Sequence, residues 1–147
     1  MWAGMWHGGK TTAIMMKGTM TGDRYLNEVL LPIVVPLARD EDLIFQDDNA
    51  RPHRSTTVVS TVTRLGIETL DWPARSPDLS PIEHAWDELG RRVRERYATP
   101  PPSLDVLAER LREQWENLEN AFIQKLCDSI PSRLNECLRA RGGHIRY

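Results

Sequence analysis

Two short stretches of this chain concentrate side chains able to do chemistry. The first is Gln46-Asp47-Asp48-Asn49, directly after the apolar run Leu43-Ile44-Phe45. A carboxylate at the C-terminal edge of a buried strand combines a supported backbone with an exposed tip, which is what a rigid metal ligand requires. Adjacent residues in an extended strand point to opposite faces, so only one of Asp47 and Asp48 can enter a given site, and the local pattern does not choose between them. The second stretch carries Glu83. Metal-assisted phosphoryl transfer needs carboxylates from separate segments converging on two divalent ions about 3.5–4 Å apart, one activating the attacking oxygen and the other stabilising the leaving one. Glu83 also has a purely structural reading: Ser80-Pro81-Ile82-Glu83 matches the capping box, in which the glutamate reaches back to the N-cap amide and only starts a helix. Asp87, one turn on, reads as part of a solvated stripe. His53 taken alone reads as a helix-start or surface histidine. Arg91, Arg92, Arg94 and Arg96 form a basic cluster, by default a solvated helix face and alternatively a phosphate contact.

The elements that must position these groups can be read from periodicity and punctuation. Met1 to Trp6 and Thr11 to Met16, either side of Gly8-Gly9, predict a β-hairpin. Tyr25, Leu26, Val29 and Leu30 recur at helical spacing, and Pro32 and Pro36 are expected to limit or kink the helix beyond them. Leu43 to Phe45 predicts a short buried strand and Ile67 to Leu70 another. Between them a helix beginning after Pro52 is expected to present Val58, Val59, Val62 and Leu65 on one face and to stop at Gly66. Ser80, with Pro81 at the first helical position, opens a helix whose apolar stripe is Ile82, Trp86, Leu89 and Val93. Pro100-Pro101-Pro102 ends that unit. Ser103 starts a helix with Leu104, Leu107, Leu111 and Trp115 on one side, and a last helical region runs from Asn120 to Arg141 with an interruption at Pro131. Trp86 and Trp115, lying on apolar stripes, are expected in the core rather than as base-stacking platforms.

Composition sets the outer limits. A chain of 147 residues supports one buried core. With 19 basic and 21 acidic side chains the net charge is −2, so bulk electrostatics does not announce a nucleic-acid binder. Residues 1–50 carry four basic and seven acidic groups, which places the acidic surplus near the start. Of the 19 basic residues 16 are Arg, whose planar fork suits phosphate, although genomic base composition produces the same bias. Cys127 and Cys137 form no CxxC pair and are expected as two reduced, buried thiols of an intracellular protein. No apolar run approaches the roughly 18–20 residues that span a bilayer, so no membrane partner is expected.

Phe45-Gln46-Asp47-Asp48-Asn49-Ala50-Arg51-Pro52-His53, followed by Trp72-Pro73-Ala74-Arg75-Ser76-Pro77-Asp78-Leu79-Ser80-Pro81-Ile82-Glu83-His84-Ala85-Trp86, resembles the signature of Tc/mariner-type DDE transposases. That family pattern is a strand end followed by Asp-Asn, a His four residues after the Asn, and then W-P-x-x-S-P-D-L-x-P-I-E-x-x-W. Between Asp48 and Glu83 lie 34 residues, the separation of one large branch of the family, so the resemblance selects Asp48 over Asp47. The likeness extends from Met1 to the closing Arg141-Gly142-Gly143-His144.

The resemblance implies an α/β, RNase H-like fold with a helical C-terminal region, lacking its first strand, with residues 1–97 as a partial catalytic domain and 98–147 as a helical extension of it. It implies a DDE endonuclease in which Asp48 and Glu83 bind Mg2+ or Mn2+ for cleavage and transfer of transposon-end DNA in the nucleus. Asn49, His53, Arg91, Arg92 and Arg94 are then expected beside the metal or on the DNA, and a second copy or a full-length transposase subunit as partner. No residue matches the family's first catalytic Asp, so the chain alone is expected to be inactive, its ions weakly held if at all. The alternatives are a non-catalytic module that binds nucleic acid or a transposase, or a transposon relic without a selected function.

Overall fold

The structure is a computed structural model that describes residues 1–73 and 76–145; Ala74 and Arg75, within the loop expected between Trp72 and Pro77, lie outside the described residues. Its contacts group into two units, Met1–Met16 with Pro77–Tyr147, and Lys17–Ser76.

The first unit opens with the predicted hairpin. Strands β1 (Met5–Trp6) and β2 (Gly9–Lys10) pair antiparallel with Trp6 opposite Gly9, so the turn is His7-Gly8, one residue earlier than the glycine pair suggests. An isolated bridge between Trp2 and Ile14 extends the pairing through two backbone hydrogen bonds of 2.9 and 2.8 Å. After a 3-10 turn at Pro77–Leu79 come four helices: α4 (Pro81–Arg96), α5 (Leu104–Glu116), α6 (Asn120–Asp128) and α7 (Ile130–Arg139). Ser103 caps α5 by accepting from the Val106 N–H at 3.2 Å, as expected of a helix-opening serine. The break expected at Pro131 falls at Ser129, and the proline sits in the first turn of α7, where its missing N–H costs nothing.

Ala3 and Ala13 of the hairpin, Ala85 and Leu89 of α4, Trp115 of α5, Leu118, and Ile123 and Leu126 of α6 form the core of this unit. The small alanines let the hairpin lie close to α6. Trp115 is fully buried, its Nε1–H donates to the Thr11 carbonyl at 2.7 Å, and its ring sits 5.0 Å from that of Trp86. A buried indole without such an acceptor would cost about 1–3 kcal/mol. Lys10 Nζ donates to the Leu118 carbonyl at 2.9 Å and the Glu116 carbonyl at 3.3 Å, satisfying carbonyls that the end of α5 leaves open. Leu104, expected on the α5 stripe, is 83% exposed: it is the first residue of the helix and its side chain stands in solvent. Cys127 and Cys137 are free but only half-buried, short of the expected burial.

In Lys17–Ser76, α1 (Gly22–Tyr25), a π-helical stretch (Leu26–Val34) and α2 (Val35–Asp40) run on without a break. The prolines do not end the helix. Pro32 lacks an N–H and crowds the carbonyl four residues back, and the wider winding relieves this, as the Val35 N–H bonding to the Leu30 carbonyl shows. Helix α3 (Thr56–Leu65) is capped by Ser55, whose hydroxyl accepts from the Val58 N–H at 3.4 Å, and ends at Gly66 with φ 66° in the expected left-handed stop. Its buried face is Val58 and Thr61, whereas Val59 is 43% exposed. Phe45 and Thr69 form a parallel bridge, the one point among the described residues at which the two predicted strands meet. Gly22 packs so closely on Ser55 that an added Cβ would lie 2.2 Å from its hydroxyl oxygen, so glycine alone allows α1 to start against the α3 cap.

Candidate functional site

The bridge at Phe45 anchors the first acidic segment: the Phe45 N–H donates to the Glu68 carbonyl and the Leu70 N–H to the Phe45 carbonyl, both at 2.8 Å. Just beyond it, the structure separates the two aspartates. The Asp47 side chain is 12% exposed, and its Oδ1 accepts from the Asn49 N–H at 2.8 Å and from Arg54 Nη2 at 3.0 Å. The Asp48 side chain is 66% exposed; its Oδ1 accepts from the Ala50 N–H at 2.9 Å and lies 2.9 Å from His53 Nδ1. Asp47 is thus consumed in folding the loop, while Asp48 keeps a supported backbone and a tip in solvent. Asn49 takes a left-handed φ of 60°, which asparagine tolerates, and its Nδ2 donates to the Trp72 carbonyl at 2.6 Å, tying the two halves of the motif together.

His53 is held from behind by Tyr25, the ring centroids 4.0 Å apart. The contact between its Nδ1 and Asp48 lacks hydrogen-bond geometry, so the ring lies against the carboxylate without bonding to it. The Tyr25 phenol is buried, its hydroxyl without a hydrogen-bond partner among the described residues. Burial first, and then the negative charges of Asp47 and Asp48, push its ionisation far above the usual phenol range. Asp47, Asp48 and His53 offer ligand atoms within 4.8 Å of one another, the one such trio among the described residues. An incoming cation meets them unequally, because Arg54 already lies on Asp47 whereas the Asp48 carboxylate is open.

Glu83 lies in the other unit, in the first turn of α4. The capping box is not made. Ser80 contributes no side-chain cap, and its N–H, the group the glutamate would have to reach, donates to the Pro77 carbonyl at 3.0 Å. The 3-10 turn has taken over the cap's work, and the exposed Glu83 lines an open cleft of 520 Å3 with Pro77, Asp78, His84, Asp87, His144 and Ile145. Asp78 in that wall accepts from the Ile145 N–H at 2.9 Å and lies 3.0 Å from His144 Nδ1. The Ile145 hydrogen bond first, assisted by the His144 charge, holds its carboxyl below the usual range.

Further along α4 the arginines are largely engaged within the unit. Arg91 bonds Glu88 and Glu95, Arg92 bonds Glu88 and the Asn117 carbonyl, and Arg96 bonds Glu113. Hydrogen bonds from Arg91 and then Arg92 pull the Glu88 carboxyl down to about 2. Arg94 is exposed and unpaired among the described residues. The structure therefore brings Asp48, Asn49 and His53 together in one unit and places Glu83 with Arg91, Arg92 and Arg94 on one helix of the other. Sequence reasoning missed Arg133, 1% exposed on α7, and the Asp78–Ile145 contact. The S-P-D-L and closing Gly-Gly-His segments were visible as motifs, but nothing in the sequence joined them.

Residues 1–104 match the DDE superfamily endonuclease family, a stretch that contains both acidic segments. The chain belongs to that family. It is 38% identical over 104 residues to the Tc1 transposase of Caenorhabditis elegans, which covers 71% of this chain and 37% of that protein. It is 34% identical over 134 residues to the Tcb1 transposase of Caenorhabditis briggsae, covering 88% and 47%. The chain thus spans less than half the length of these relatives. Among solved structures, the catalytic domain of Mos1 mariner transposase superposes with a TM-score of 0.75 at 24% identity, over 88% of this chain and 66% of that one. The Mos1 paired-end complex with its left transposon end gives 0.80 at 22%, over 98% and 44%. These likenesses establish the RNase H-like fold with a helical C-terminal region. Among the described residues no helix is long and apolar enough to cross a membrane.

Proposed function

We propose that this chain is the part of a transposase catalytic domain that supplies Asp48 and Glu83 as ligands for divalent metal in phosphoryl transfer on transposon-end DNA. The observation that carries this is the solvent-open Asp48 carboxylate on a braced loop, inside the stretch that matches the endonuclease family. Glu83 supports it, since the Ser80 amide is bonded elsewhere and the glutamate lines a cleft. Each carboxylate taken by itself suits a hard cation: both are exposed, and among the described residues Asp48 has no Arg or Lys against it. Bound there, Mg2+ or Mn2+ would activate the attacking oxygen and neutralise charge on the leaving one. The Mos1 paired-end complex is known with Mn and with Mg, which supports the same metals here.

Within this scheme Asp47 and Arg54 fix the loop, Asn49 ties it to Trp72, and His53, braced by Tyr25, orients Asp48. Arg94 is the residue of the basic cluster available to a phosphate, while Arg91 and Arg92 would first have to leave Glu88. Two chains or a longer transposase subunit on paired DNA ends, in the nucleus, complete the picture by analogy with the Mos1 complex and its left transposon end. The domain boundary near residue 97 belongs to the same reading, α5 to α7 forming a helical extension.

The family uses three acids and this sequence matches two. The test is nicking of labelled transposon-end DNA with Mg2+ or Mn2+, by the chain alone and with a fragment bearing the first-Asp strand. Activity on complementation that vanishes in Asp48→Asn and Glu83→Gln is expected. Activity that survives both substitutions refutes the assignment, and DNA binding without cleavage under every condition points to a binding module.

A further inference from the structure

Arg133 is the least exposed charged side chain described, at 1%. A buried guanidinium persists only where acceptors surround it, and among the described residues they come from three places in the chain. Nε donates to Ser129 Oγ at 2.8 Å one turn back, Nη1 donates to the Asp78 carbonyl at 2.9 Å, and Nη2 lies 2.8 Å from His84 Nδ1. Guanidinium only donates, so His84 Nδ1 must accept, which fixes the ring as its Nε2–H tautomer. Asp78 and His84 bracket Glu83 on both sides: one belongs to the turn that enters α4, the other is the next residue. The same Asp78 is held a second time, through its side chain, by the Ile145 N–H at 2.9 Å and His144 at 3.0 Å. The closing segment reaches it through the left-handed pair Arg141 (φ 54°) and Gly142 (φ 78°).

We propose that Arg133 is a positioning residue for Glu83, setting the first turn of α4 through the Asp78 carbonyl and the His84 ring while the Gly142–Ile145 segment clasps the Asp78 carboxylate. This rests on the reading of Glu83 as a metal ligand. The logic is mechanical. With Ser80 making no side-chain cap, the entry to α4 lacks the usual local brace, and the brace arrives from α7 and the closing segment instead. Groups that orient a metal ligand change metal affinity by roughly 10–100-fold when removed. A residue that only stabilised the fold would leave the affinity of the folded molecules unchanged.

The experiment is a Mn2+ titration of the isotopically labelled 147-residue chain complemented with the unlabelled fragment bearing the first-Asp strand, reading paramagnetic broadening of the Glu83 amide. Amide exchange at Leu89 and Ile123 reports general stability, and the His84 ring nitrogens report the tautomer. In Arg133→Met we expect the half-broadening concentration at Glu83 to rise about tenfold or more and the His84 tautomer to mix. Arg133→Lys, whose single ammonium cannot span the Asp78 carbonyl and the His84 ring as the guanidinium fork does, should fall between. If the Met variant does not fold, the Lys variant carries the test, with a shift of at least a few-fold expected. Half-broadening at the native concentration in the folded variants overturns the proposal even if Leu89 and Ile123 exchange faster. Absence of Glu83 broadening in the native chain is a separate result: it removes the metal reading of Glu83 and the proposal with it.

Discussion

Replacing Gly22 with Ala tests whether the loop that carries His53 is set by the packing of α1 on the α3 cap. A Cβ at position 22 would lie 2.2 Å from Ser55 Oγ, 2.6 Å from Ser55 Cβ and 3.3 Å from the Pro52 carbonyl. The first two distances are far inside contact, and Ser55 cannot swing away freely because its hydroxyl accepts from the Val58 N–H. Overpacking of this kind costs roughly 1–3 kcal/mol. Against it stands the gain from replacing glycine in a helix, about 0.5–1 kcal/mol. The clash is larger, so Gly22→Ala should lose about 1–2 kcal/mol. Ser55→Gly removes both offending atoms, and a glycine at an N-cap costs only about a few tenths of a kcal/mol relative to serine. The double variant should therefore recover to near native stability, a coupling of about 1–3 kcal/mol where independent sites add within about 0.5. Urea unfolding monitored by helical circular dichroism measures all four corners of the cycle. A Gly22→Ala chain as stable as the native one, or a double variant whose loss is the sum of the singles, refutes the packing argument.

Four further outcomes are expected. Asp47→Asn should destabilise the loop by loosening the Arg54 pair, seen as faster amide exchange at Asn49, whereas Asp48→Asn should abolish complemented cleavage and leave that exchange unchanged. Glu88→Gln should cost about 1–2 kcal/mol at neutral pH, allowing for the exposure of Arg91. Because the folded Glu88 carboxyl titrates near 2, below its unfolded value, that contribution is full above about pH 4.5 and is lost as pH falls towards 2. The native-minus-variant difference in stability should shrink over that window, and a constant difference would contradict it. Trp115→Phe should lose at least about 1–3 kcal/mol in thermal unfolding, because the Thr11 carbonyl is left without its donor and the smaller phenyl leaves part of the indole's space empty.

What the sequence by itself determined is what depends on near neighbours and on motif spacing. Ser103 opens α5, Gly66 stops α3 and Pro131 sits at a helix start, since a cap, a left-handed stop and a missing N–H are settled within one turn of chain. The two motifs that mark the family are likewise continuous strings, and they identified it without any contact being known. The tertiary structure decided what depends on who lies opposite. Asp47 and Asp48 are chemically identical neighbours, and only the position of Arg54 consumes one and leaves the other open. Ser80 to Glu83 has the string of a capping box, yet the Pro77 carbonyl took the Ser80 amide that the glutamate would have capped. Pro32 should break a helix by its own geometry, but Val29, Leu30, Val34 and Val35 are buried on both sides of it, and the chain rewinds to keep them so. Arg133 reads as one more surface arginine until Asp78 and His84, 55 and 49 residues away, close around it. Burial and pairing are sums over contacts distant in sequence, so no local pattern carries them.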